Sequence, residues 1–184
     1  MKKVGLVTVL FNSPGVLPEF YSSVEKQNYQ NKHLYIVDNS TNQDSFNLTQ
    51  EILLGTDIKY TYINNEGNNV GVAHANNQGI EQALKDGCEY ILLTNNDLFF
   101  QQEDTISKMI SVAEGRQCKI VSPVILSYPE KKFGMQVHFL IRKKLRHLIF
   151  LKESTTMIFA LIFQKSAITH QHVFYLSMLR CLPL

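Results

Sequence analysis

Two aspartates stand where a carboxylate can do more than solvate a surface. Asp38 closes the run Leu34-Tyr35-Ile36-Val37 and leads into Asn39-Ser40-Thr41, and Asp97 follows Leu92-Leu93-Thr94-Asn95-Asn96 and precedes Leu98-Phe99-Phe100. A carboxylate at the end of a buried strand can accept the imide N–H of a uracil or thymine base. Asp-Asn-Ser is equally good turn chemistry, because an Asp side chain bonds its own backbone two residues on. Both readings of Asp38 therefore stand. Asp97, with amides before it, offers the hard oxygen ligands that suit Mg²⁺ or Mn²⁺ on a diphosphate. Its plain alternative is a helix-start or loop-solvating residue. A third polar stretch, Asn12-Ser13, ends the apolar run Val4–Phe11.

These stretches share a context. Val4–Phe11, His33–Val37, Ile58–Ile63, Tyr90–Leu93 and Lys119–Leu126 read as strands, and the first, continuous and β-branched, reads as buried on both faces of a parallel sheet. Helical spacing runs through Val16, Phe20, Val24 and Gln27, through Asp44–Leu53, through Val72–Leu84 up to Asp86-Gly87, and through Glu103–Glu114. Strand and helix alternating with short connections predict a doubly wound α/β architecture with a mostly parallel sheet. Ligands of such sheets bind beyond the carboxyl ends of the strands, where the strand order reverses. Asn12, Asp38 and Asp97 all fall at that edge. No GxGxxG and no GKS/T occurs, so neither a dinucleotide fingerprint nor a P-loop holds phosphate here. A receiver-like signalling domain would want acidic residues after the first strand, where Asn12-Ser13 stands.

The 184 residues suffice for one domain with a real core. No apolar run approaches the roughly 20 residues of a membrane-spanning helix, and Asn12-Ser13-Pro14 interrupts the N-terminal run before a signal peptide could form. The expected location is cytoplasmic. Cys88, Cys118 and Cys181 are odd in number and without CxxC spacing, which argues against a disulfide framework or zinc site and for small buried hydrophobes. His74 is expected at the surface, and His170 and His172 lack the acidic or Cys partners of a metal site.

The motifs, taken in order, resemble the family 2 glycosyltransferases of bacteria, particularly the rhamnosyltransferase-like branch. Val7-Thr8-Val9-Leu10-Phe11-Asn12 is similar to the family's first strand with its aromatic-Asn end. Ser22-Ser23-Val24-Glu25-Lys26-Gln27-Asn28-Tyr29 resembles its Ser-Leu-x-x-Gln-x-Tyr helix, and Ile36-Val37-Asp38-Asn39-Ser40-Thr41 its base-binding Asp motif. The segment from Asn69 through Gly71, Ala73, Ala75 and Asn77 to Gly79 follows its N-x-G-x-A-x-A-x-N-x-G signature, and Asn95-Asn96-Asp97 stands as its DxD-like motif in N-x-D form.

The resemblance implies a GT-A (Rossmann-like) sheet flanked by helices and a nucleotide-diphospho-sugar donor, dTDP-rhamnose or a UDP-sugar. The acceptor would be a lipid-linked or polysaccharide glycan in O-antigen or capsule synthesis, with peripheral contact at the cytoplasmic face of the inner membrane and no nucleic-acid partner. It further implies that Asp38 meets the base and that Val9, Asn12, Gly71, Asn77 and Asn96 line the nucleotide-sugar site. Asp97 would hold Mg²⁺ or Mn²⁺. Asn95 replaces the first carboxylate of a DxD pair, so the metal should be held more weakly. Transfer by this shortened chain is expected to be impaired, and the alternative is a non-catalytic nucleotide-sugar-binding module or an inactive fragment.

The resemblance covers residues 4 to about 130, a nucleotide-sugar-binding half-domain, and residues 131–184 read as an atypical, irregular tail. Residues 1–132 carry 15 acidic and 11 basic residues, whereas 133–184 carry one acidic residue, Glu153, and seven basic ones. That leaves no candidate for the later acidic motif from which inverting members draw a general base. The tail also lacks the helical period that a membrane-surface segment would use. Back-translating Lys132-Phe133-Gly134-Met135-Gln136-Val137 and reading from each third base recovers the family's Ile-Trp-Tyr-Ala-Gly. The same phase over Ile168–Val173 recovers Tyr-Ala-Pro-Thr-Cys, another family-like segment. The expectation is a one-base slip in the Lys131-Lys132 codons. Sequencing the gene through these codons should show the alternative frame open and encoding an acidic motif; early stops in that frame would refute the slip.

Overall fold

The computed structural model describes residues 1–117, 120–127, 157–159 and 174–182. The first apolar run forms β1 (Val4–Leu10), which pairs in parallel with β2 (Lys32–Asp38) on one side and β4 (Tyr90–Leu93) on the other. Leu10 lies opposite Asp38, and Val7 lies opposite both Tyr35 and Leu93. β3 (Tyr60–Asn64) continues the sheet beyond β2 and β7 (Met157–Phe159) beyond β4, giving the parallel order β3-β2-β1-β4-β7. The order reverses between β1 and β4, which sets the topological switch point there.

Both faces of β1 are covered, which is why its sequence is continuously apolar rather than alternating. One face shares a core with α1 (Leu17–Glu25), α2 (Asp44–Leu54) and α4 (Thr105–Gly115), built from Leu6, Leu10, Leu34, Ile36 and Leu92 of the sheet and Phe20, Tyr21, Leu53 and Met109 of the helices. The other face packs Val7, Tyr35, Ile91 and Leu93 against Ile80 and Ala83 of α3 (Val72–Lys85). Cys88 is buried on that side, as a small hydrophobe should be. The side chains of Cys118 and Cys181, and residues His170 and His172, lie outside the described residues.

α3 sits unusually close to the sheet. A β-carbon on Gly79 would overlap Cγ1 of Val7, and one on Gly5 would stand 2.9 Å from Cβ of Ala83. Glycine in mid-helix costs about 1 kcal/mol relative to alanine. Here that cost is offset by the contact that sets the height of α3 over β1.

The expected elements all form, with ends shifted by a residue or two, and a short 3₁₀ turn at Pro14–Val16 precedes α1. A further strand, β5 (Leu98–Phe99), is too short to show as a pattern in the sequence. β6 (Ile120–Ser127) leaves the parallel sheet and pairs antiparallel with β8 (Phe174–Leu182), which pairs in parallel with β5 to make a second sheet of order β5-β8-β6. Two stretches of the segment read as an irregular tail are thus strands, β7 and β8; the rest of 131–184 lies outside the described residues. No helix among the described residues is long and apolar enough to cross a membrane.

Gly79→Ala should cost about 1–3 kcal/mol, as overpacking of a filled core does, measured by urea unfolding. Gly115→Ala, at the end of α4 with open space around its β-carbon, should be neutral or slightly stabilising.

Candidate functional site

The loop after β1 ties together the loops after its two neighbours. On the β2 side, the backbone N–H of Asn12 donates to Ser40 Oγ at 3.0 Å, Asn12 Nδ2 donates to Thr41 Oγ1 at 3.1 Å, and the Thr41 N–H donates back to Asn12 Oδ1 at 3.0 Å. On the β4 side, Asn96 Nδ2 donates to Ser13 Oγ at 2.6 Å. Asn12 adopts φ 46°, a left-handed conformation that Asn tolerates because its short amide can bond locally. Parallel pairing of β1 with β2 and β4 makes these loops adjacent, and two consecutive small polar residues then serve one neighbour each.

Asp38 is only 3% exposed. Its Oδ1 accepts the Ser40 N–H at 2.8 Å, so the turn chemistry read from Asp-Asn-Ser is realised. Its Oδ2 accepts the hydroxyl of Tyr62, on the adjacent strand β3, at 2.5 Å. The Tyr62 ring meets Phe46 of α2 edge to face at 5.3 Å between centroids. Burial, and then the bond to Asp38, pushes the Tyr62 phenol well above its ordinary range. Each carboxylate oxygen keeps a further lone pair, so turn-capping and base recognition are compatible.

The loop between β3 and α3 is held by side-chain amides. Asn65 Nδ2 donates to Asn39 Oδ1 at 2.8 Å and to Gln78 Oε1 at 3.0 Å, and Gln78 Nε2 returns a bond to Asn65 Oδ1 at 3.0 Å. Asn69 Oδ1 accepts both Asn39 Nδ2 at 3.2 Å and the Gly71 N–H at 3.0 Å. Gly71, the residue before α3, has φ 83° with open space where a side chain would go. Backbone conformation rather than crowding therefore selects glycine there. No side chain caps α3, so its first N–H groups and the positive end of its dipole are available at the carboxyl edge of the sheet. Val9 is half-buried on the α3 side of β1, and Asn77 is half-buried within α3. Among the described residues neither side chain hydrogen-bonds to the network that joins Asn12, Asp38, Gly71 and Asn96. His74 is exposed, as expected.

Asp97 lies in a turn between β4 and β5 and is half-buried, so it is not a helix-start residue. The Asn96–Ser13 bond fixes the Asn96 amide nitrogen and leaves its Oδ1 as a hard oxygen close to Asp97 in sequence. Among the described residues no cluster of three or more His, Cys, Asp or Glu exists. One carboxylate and neighbouring amide oxygens suit Mg²⁺ or Mn²⁺ when diphosphate and water complete the shell, and they do not suit a metal caged by protein alone.

Gln27 gains a role that the sequence did not supply. It is 1% exposed; its Nε2 donates to the Gln102 carbonyl at 2.7 Å and its Oε1 accepts the Ile106 N–H at 3.3 Å. It therefore anchors the start of α4, and the chain leading there from Asp97, onto α1. Tyr62 was also missed, because a tyrosine in a Tyr-Thr-Tyr strand carries no mark of an acidic partner. A cleft of about 400 Å³ lined by Val24, Gln27, Lys32, Leu34, Asp57 and Lys59 among others lies at the opposite, amino-terminal edge of the sheet, and Asn12, Asp38, Gly71, Asn96 and Asp97 do not line it.

The described fold, with its polar strand ends at the switch point, is of the GT-A type. A family model described as glycosyl transferase family 2 matches residues 6–175, and the chain belongs to that family. The match continues past residue 131, into the segment with irregular pattern. No curated relative matches the chain. Among solved structures, the crystal structure of S. aureus TarS 1-349 is similar, with TM-score 0.57 and 18% identity over 67% of this chain and 35% of that one. A mannosyltransferase from Pyrobaculum calidifontis, in complex with GDP-Man and Mn²⁺, matches with TM-score 0.57 and 16% identity over the same shares of the two chains. TarS 1-349 in complex with UDP-GlcNAc gives 0.56 and 18% over 67% of this chain and 34% of that one. The chain spans about a third of the length of these structures.

Asn12→Ala should cost about 1–2 kcal/mol, since it removes every side-chain bond from Asn12 to Thr41 and puts a residue without a locally bonding amide in the left-handed region. Asn12→Gly, which relieves the backbone, should cost less. Comparing their thermal midpoints checks this.

Proposed function

We propose that residues 1–130 form the donor-binding half of a glycosyltransferase that takes a sugar from a nucleotide-diphospho-sugar, dTDP-rhamnose or a UDP-sugar, with Mg²⁺ or Mn²⁺. The base lies against Asp38, and Val9, Asn12, Gly71, Asn77 and Asn96 line the nucleotide-sugar pocket. Asp97 with the diphosphate holds the metal, which when bound offsets phosphate charge and polarises the leaving diphosphate. The acceptor is a lipid-linked or polysaccharide glycan of the bacterial surface, met in the cytoplasm or at the cytoplasmic face of the inner membrane. Residues 131–184 fall outside the donor-binding half on this reading.

The observation that carries the metal-diphosphate reading is the charge of the site edge. The loops that follow β1, β2, β3, β4 and β5 contain no lysine or arginine but hold Glu66, Asp97, Glu103 and Asp104, and Asp38 closes β2 at the same edge. Lys2, Lys3, Lys32 and Lys59 all lie at or just before strand starts, on the opposite edge. A diphosphate at the carboxyl edge then has the dipole of α3 and a divalent cation to balance it, rather than a basic side chain. The second reading, a binding module without transfer, is favoured by the single acidic residue after Glu130. Donor binding with no transfer to any glycan acceptor would select it.

Thermal shift with UDP- and dTDP-sugars, with and without Mn²⁺, tests the proposal. At a ligand concentration of about 100 Kd the folded state gains ~2.7 kcal/mol, or roughly 5–10 °C for a chain of this size. Asp97→Asn should lose the Mn²⁺-dependent part of that shift. A folded protein that shifts with none of these nucleotides would contradict the proposal.

A further inference from the structure

The bond from Tyr62 to Asp38 has a consequence for how a base is read, and it rests on the donor-binding proposal. A carboxylate at the end of a strand can rotate about its Cβ–Cγ bond. A base that presents one imide N–H needs an acceptor lone pair held in one direction. Asp38 is restrained at both oxygens, by the Ser40 N–H on Oδ1 and the Tyr62 hydroxyl on Oδ2. The first restraint belongs to the local turn and the second arrives from a different strand. Tyr62 is itself seated by the edge contact with Phe46 of α2, and β3 is held in register with β2 by the pairs Ile36–Tyr62 and Asp38–Asn64. The Asn65 N–H also donates to the Asp38 carbonyl at 3.0 Å, so main chain and side chain of Asp38 are both fixed from the β3 side.

We propose that Tyr62 is a positioning residue for the base-reading carboxylate: its hydroxyl fixes the rotation of the Asp38 carboxylate so that the remaining acceptor directions suit the imide N–H of a uracil or thymine. Towards the carboxylate the hydroxyl is the donor, since burial and the neighbouring carboxylate keep its proton in place. It therefore competes for one lone pair of Oδ2 and leaves the others for the ligand. Preorganisation of this kind lowers the cost of ordering the acceptor when the ligand arrives.

The test is a set of calorimetric titrations of UDP, dTDP and N3-methyl-UDP, which lacks the imide donor, into the wild type, Tyr62→Phe, Asp38→Asn and the double variant. Wild type should bind UDP and dTDP more tightly than N3-methyl-UDP. Tyr62→Phe should weaken UDP and dTDP about 5- to 10-fold, leave N3-methyl-UDP within 2-fold, and add little on top of Asp38→Asn. Unchanged or tighter UDP binding in Tyr62→Phe, with Asp38→Asn impaired, overturns the positioning role while the donor site stands. An equal loss for all three ligands also overturns it, because a general packing defect would do that. If the folded wild type binds none of the three, or Asp38→Asn binds UDP as wild type does, base recognition by Asp38 itself fails, and Tyr62 has nothing to position.

Discussion

Everything at the site depends on β1 pairing in parallel with β2 and β4 at once. That double register places Leu10 opposite Asp38, so β1 and β2 end level, and Val7 opposite Leu93, so the chain after β4 departs three residues before the end of β1. The loops that follow are then close enough for Asn12 to clip Thr41 and for Ser13 to accept Asn96. A slip of one residue would turn the Asp38 side chain to the α3 face and break the clip. The register is protected because β1 is buried on both faces, and its glycine and Val7 meet α3 at contacts too close for any larger residue at Gly5 or Gly79.

A division of labour follows from that geometry. The α1–α2 side of the sheet supplies the restrained carboxylate, Asp38, through Ser40 and Tyr62. The α3 side supplies an uncapped helix start, fixed by the amides of Asn39, Asn65, Asn69 and Gln78. The β4 side supplies Asp97, whose approach to α4 is anchored by Gln27. Uncharged amides do most of the fixing, which keeps the carboxylates the dominant charges at the edge. Family membership and the similar folds of solved glycosyltransferases accord with this layout, and the chemistry of the particular donor is what the proposal adds.

Much of the frame was legible because buried parallel strands announce themselves. Val4–Phe11, His33–Val37 and Tyr90–Leu93 are apolar runs with polar ends, and the structure ends each within a residue of that reading. β5 was not legible, since Leu98–Phe99 is two residues long and needs β8 to be a strand. β6 was legible as a strand but its partner was not, because β8 lies some fifty residues further on and no local pattern reveals a long-range antiparallel pairing. At the site, Asp38 looked ambiguous between turn and ligand, and the structure shows why: the turn bond uses one oxygen and leaves capacity for the other task. Gln27 stood in a family-like motif that named no partner for it, and Tyr62 carried no signal of its own. One acts through backbone groups of a distant loop, the other through a carboxylate on the neighbouring strand.

The most direct test of a donor site at the carboxyl edge of β1, β2 and β4 is an amide NMR titration with UDP and Mg²⁺. Shifts should concentrate at Asn12-Ser13, Asp38–Thr41, Gly71–Ala73 and Asn95–Asp97. Shifts concentrated at Val24, Lys32, Leu34 and Lys59, around the cleft at the opposite edge, would contradict it.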